Sequence, residues 1–148
     1  MADKTTAALS ADIAKAYDAY LSELKLAGPS WDRKPAGAKE GEAAWCAREV
    51  AEHIAGAAGF FASGIARAIN ATAAAPQRHS LADANAAVAA MPGVQAGLME
   101  VVNQVPDGQL SPELEFGPLG KTSLGGVLGI LAHHYGDHAN QLKTLRGG

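Results

Sequence analysis

The sequence predicts an all-α fold, a four-helix bundle, and three observations carry that prediction. The chain of 148 residues holds 33 alanines and 17 glycines, so about a third of it is small residues, and only 5% is aromatic. Alanine is the best helix former, and small side chains let helices approach closely. Apolar residues recur with a period near 3.6 over four long stretches, and glycine and proline clusters punctuate them. Residues 1–148 read as a single domain, long enough to bury a core without disulfides.

Helix 1 is predicted from Thr5 to Leu26. Leu9, Ile13, Tyr17, Tyr20 and Leu24 share one face, and Ala27-Gly28-Pro29 stops it. Ser30 to Gly41, with Pro35, Gly37 and several charges, reads as a connecting loop.

Trp45 opens the longest predicted helix, Cys46 to Ala71, which Ala73-Ala74-Ala75-Pro76 closes. Glu49 takes its third position, where a carboxylate reaches back to first-turn amides. Val50, Ile54, Ala57, Phe61, Ile65 and Ala68 form its apolar stripe, and His53 lies at the edge of that stripe, facing a neighbouring helix.

Ser80-Leu81-Ala82-Asp83 resembles a capping box with Asp in place of Glu, so helix 3 is expected to begin at Leu81. Pro92-Gly93 predicts a kink or a break, because proline removes one backbone hydrogen bond and clashes with the carbonyl four residues back. The helix should resume through Val94, Leu98, Val101 and Val102 to Gln104. Val105 to Lys121, rich in proline and glycine, is expected to be an irregular crossing loop. Thr122 or Ser123 then caps helix 4, whose seam is Leu124, Leu128, Leu131, Tyr135, His138, Leu142 and Leu145. Unequal loop lengths predict a bundle with a long crossover connection, and bundles place metal sites between facing helices.

Candidate chemistry lies in three of the five histidines. His134 and His138, four residues apart, project from one side of helix 4 one turn apart, where both rings can reach one ion. Two ligands rarely hold a metal, and His53 of helix 2 is the candidate third. Spacing alone leaves two readings open: a three-histidine site, or histidines with no common partner. Three neutral imidazoles suit zinc, nickel, iron or copper and leave a coordination position open. Each ring needs its second nitrogen held. Glu49, one turn before His53, and Gln141, one turn past His138, are candidates for that role, while Asp137 is better placed to pair with His133. His79 and His133 are expected to be exposed, and Cys46 to be a small buried hydrophobe.

Around these residues the sequence resembles the DinB-like superfamily, the DinB/YfiT-like metalloenzymes. Trp45-Cys46-Ala47-Arg48-Glu49-Val50-Ala51-Glu52-His53-Ile54 is similar to the start of that family's second helix. His134-Tyr135-Gly136-Asp137-His138-Ala139-Asn140-Gln141-Leu142 is similar to its fourth-helix motif. Cys46 stands where the family has Ser or Thr, and Ile54 where it usually has Leu; neither is a ligand position. The resemblance implies a four-helix bundle, often a homodimer, with a divalent metal, zinc or nickel above all and iron less often, held by His53, His134 and His138. It also implies a thiol-dependent S-transferase or isomerase that uses a low-molecular-weight thiol such as bacillithiol, mycothiol or glutathione. A hydrolase that activates water and a non-catalytic binding or stress-response module are the competing expectations. Tyr17, Tyr20 and Met99 are the candidate substrate-pocket residues.

Other function classes lack a signal. The formal charge is −3, with Lys and Arg scattered, which argues against a nucleic-acid partner. No run approaches the roughly 18 apolar residues of a membrane span. Met1-Ala2-Asp3-Lys4 leads into a polar helix without a signal-peptide core, and the single cysteine forms no intrachain disulfide, so a cytoplasmic location is expected. Phosphate-binding glycine loops, dinucleotide fingerprints and nucleophile elbows do not occur.

Overall fold

The computed structural model describes residues 4–37 and 40–147. Met1 to Asp3, at the leader position considered above, and Ala38 and Lys39 of the predicted loop lie outside the described residues. Four helices dominate: α1 (Thr6–Lys25), α2 (Ala47–Ala68), α3 (Ala84–Val102) and α4 (Leu124–Gly147).

The Thr5 hydroxyl starts α1 by accepting from the Ala8 amide at 3.1 Å, satisfying one of the first-turn donors. Leu9, Ile13, Tyr17, Tyr20 and Leu24 are buried as the spacing predicts. At α2, the Cys46 thiol meets the Glu49 amide while the Glu49 carboxylate accepts from the Cys46 amide at 3.2 Å. That reciprocal cap places Cys46 just outside the helix. The helix stops at Ala68 instead of Ala71 because Asn70 takes a left-handed φ of 57° and the Ala71 amide turns back to the Ala66 carbonyl at 2.8 Å. Val50, Ile54, Phe61 and Ile65 are buried, whereas Ala57 is half-buried and Ala68 is exposed.

Helix α3 corrects two expectations. It begins at Ala84, not Leu81, with the Asp83 carboxylate accepting from the Ala86 amide at 2.7 Å. Leu81 cannot join the helix because its amide donates to Glu52 Oε2 at 2.8 Å and its carbonyl accepts from the Trp31 indole at 3.1 Å. Of the kink or break expected at Pro92-Gly93, the break does not occur: the helix continues through Pro92, since Pro92 and Gly93 fall on the exposed face, where the orphaned carbonyl can meet water.

The segment before α4 is more regular than a loop. Two short strands, β1 (Glu113–Glu115) and β2 (Lys121–Ser123), pair antiparallel with Leu114 opposite Thr122. Ser123 then accepts from the Gly126 amide at 3.1 Å and starts α4. Every residue of the predicted α4 seam is buried, His138 included.

Helix α4 packs along α1, α2 along α3, and α1 also against α3. Consecutive helices α1 and α2 do not pack closely, and neither do α3 and α4, so the connections between them cross the bundle. Helices α2 and α4 approach less closely than the other neighbours, which leaves a wider seam between them. Tyr20 is fully buried, with its ring 5.6 Å from that of Tyr135, and Tyr17 meets Tyr135 edge-on at 5.6 Å. Tyr17 and Tyr20 are therefore core residues. No helix among the described residues is long and apolar enough to cross a membrane.

Candidate metal centre

His53 from α2 and His134 and His138 from α4 meet in the wider seam. One ring nitrogen from each lies within 4.8 Å of the other two. His53 Nε2 and His134 Nε2 are 3.0 Å apart. Two nitrogens held about 2.1 Å from one ion at angles of 90–110° sit about 3.0–3.4 Å apart, so that spacing suits a shared ion. The rings stand edge to face, with centroids 4.6 Å apart for His134 and His138 and 5.2 Å for His53 and His138. Trp45 walls one side, its ring 4.9 Å from His53 and stacked at 6.3 Å on His138. Phe61 closes on His134 at 6.3 Å.

Protonation favours ligation. Burial is the largest cause that pushes His134 down to about 4, and the neighbouring His138 and His53 add to it. Burial and His138 also lower His53, with Glu42 opposing. Both rings are neutral at neutral pH and offer lone pairs.

The tautomer of His138 follows from its partners. Gln141 Nε2 donates to the Glu42 carbonyl at 2.6 Å, and a carbonyl can only accept. Gln141 Oε1 must therefore be the end that meets His138 Nδ1 at 2.8 Å, so Nδ1 carries the proton. Nε2 is the ring nitrogen that Gln141 does not engage. Gln141 thus holds the second nitrogen of a site histidine, as its position one turn past His138 predicts. Glu49 does not: its carboxylate is taken by Lys34 and by the Cys46 amide.

The remaining polar candidates sort cleanly. Asp137 pairs with His133 at 3.1 Å on the exposed face of α4. His79, expected to be exposed, is instead half-buried and lines a different hollow, with Gly59, Ala62 and Val94. Cys46 is buried, with its thiol at the α2 cap. A hollow of about 380 Å³ beside the site is lined by Pro35, Glu42, Ala43, Gln141, Thr144 and Leu145, and Met99 takes no part in it.

A family profile described as the DinB superfamily matches residues 12–142. The chain belongs to the DinB superfamily. Neither the curated proteins nor the solved structures give a match. In this DinB superfamily protein the histidine cluster is compatible with a metal site, and the donor set of three imidazole nitrogens fits a divalent transition ion.

One residue of the site carries no sequence signal. Glu42, in a single 3-10 turn (Gly41–Ala44), places Oε1 3.4 Å from His138 Nε2. It precedes α2 and belongs to no periodic stripe, so only the crossing of the first connection over the bundle brings it to α4.

Proposed function

We propose that His53, His134 and His138 hold a divalent metal, zinc or nickel, and that the protein is a thiol-dependent S-transferase or isomerase. The observation that carries the reading is the convergence of three imidazole nitrogens within 4.8 Å, with His138 Nδ1 held by Gln141. An ion bound there would hold a small thiol as its thiolate at neutral pH.

The chain's own residues supply the rest. Gln141 orients His138 and keeps its proton on Nδ1. Trp45 and Phe61 limit water around His53 and His134. The hollow lined by Glu42, Gln141 and Thr144 offers polar groups to a thiol carrier next to the ligands, and its size suits a small molecule. As the resemblance to the DinB superfamily suggests, the protein acts as a homodimer, which sedimentation of the purified chain checks.

Elemental analysis of untagged protein, purified without nickel resin, tests the first half of the reading. About one equivalent of zinc or nickel, lost in a His134→Ala/His138→Ala variant that still folds, supports it. Metal-loaded protein is then assayed with glutathione, mycothiol or bacillithiol and simple electrophiles. Turnover that needs both metal and thiol supports transfer, turnover without thiol moves the reading to a hydrolase, and no turnover with metal in place favours a binding module.

A further inference from the structure

We propose that Glu42 is a fourth protein group at the metal centre, a carboxylate brought to it by the connection between α1 and α2. The proposal rests on the metal reading of the three histidines and adds a residue to it.

Glu42 Oε1 lies 3.4 Å from His138 Nε2, and His53 Nε2 lies 3.0 Å from His134 Nε2. Both spacings fall in the range of two donor atoms that share one ion. A cation held by all four groups would satisfy both contacts together.

Charge points the same way. Three neutral imidazoles leave a divalent ion with its full charge in a half-buried seam, and a carboxylate ligand offsets part of it. The acids on the adjoining helices are engaged elsewhere. Glu49 is with Lys34, Glu52 with the Leu81 amide and Arg48, and Asp137 with His133. Among the described residues Glu42 is the acid that contacts a ring of the cluster.

The backbone that carries Glu42 is also tied to the site. The Glu42 carbonyl is held by Gln141, the same side chain that orients His138. On one side of Glu42, Gly41 takes a φ of 60°, a conformation that suits glycine. On the other, Trp45 packs on His53 and His138. The backbone at residue 42 is thereby fixed to the site, while the side chain, 59% exposed, keeps the freedom to rotate onto an ion. Without an incoming ligand, Glu42 fills the position that three histidines alone leave open.

The test compares wild type, Glu42→Gln and His134→Ala/His138→Ala in their cobalt(II) spectra and in zinc affinity measured against a competing chelator. Glutamine is close to isosteric and leaves the backbone carbonyl that Gln141 uses. The expected result for Glu42→Gln is at least tenfold weaker zinc binding and altered cobalt d–d bands, with metal-free unfolding unchanged. Wild-type spectra and affinity in Glu42→Gln overturn the proposal and leave the three-histidine reading intact. Failure of the wild type itself to take up zinc or cobalt overturns both.

Discussion

Gln141 bridges two parts of the chain that are far apart in sequence, accepting from His138 Nδ1 at 2.8 Å and donating to the Glu42 carbonyl at 2.6 Å. One amide therefore sets the tautomer of a buried histidine and anchors the first crossing connection.

Replacing that amide should weaken metal binding without unfolding the protein. Gln141→Leu removes the acceptor for Nδ1–H, and zinc affinity is expected to fall about 10–100-fold, the usual cost of losing a group that orients a ligand. Gln141→Glu keeps an acceptor and should lose less. Equal affinities for all three proteins, measured by chelator competition, would remove Gln141 from the site.

Metal-free protein should lose stability as the solution is acidified. His134 titrates near 4 in the fold and near 6.5 when unfolded, so between those values the unfolded chain binds the extra proton. Stability therefore rises with pH across that window and is lost as pH falls through it. Urea unfolding with chelator present, at several pH values between 4 and 7, should show this slope, and His134→Asn should flatten it. Identical slopes in the two proteins would contradict the assignment.

The buried pair of Tyr135 and Gln95 offers a third measurement. The Tyr135 hydroxyl donates to Gln95 Oε1 at 2.6 Å inside the core. Tyr135→Phe leaves that acceptor buried without its donor, at a cost of about 1–3 kcal/mol. Adding Gln95→Leu should recover part of the loss, since the unpaired group is gone. A neutral Tyr135→Phe would mean that water reaches Gln95.

Gly64 tests the wall behind His134. A Cβ at residue 64 would stand 2.5 Å from the tip of the Phe116 ring, which stacks on Phe61, which in turn meets His134. Gly64→Ala is expected to cost about 1–3 kcal/mol through overpacking. Unchanged chemical denaturation would show that Phe116 moves aside freely.

The helices and the three histidines were legible because each rests on local regularity. The α4 seam, from Leu124 to Leu145, follows from its period alone, and His134 and His138 share a side of that helix by spacing. What escaped depends on contacts between distant segments. Leu81 is excluded from α3 by Glu52 and Trp31, neither of which marks the capping-box pattern. Pro92 leaves α3 unbroken because of which face it occupies. Glu49 matched two roles by position, and capping prevailed because the Cys46 amide is nearer in the chain than any ring. Glu42 was invisible for the same reason: a crossing connection brings it to α4.

Trp45 gives the site an optical signature. Its indole lies against His53 and His138, whereas Trp31, the chain's other tryptophan, is buried with its N–H on Leu81. Charge arriving among the imidazoles changes the surroundings of one fluorophore and leaves the other as an internal reference. Emission can therefore follow occupancy of the seam in real time, with no label attached and no turnover required.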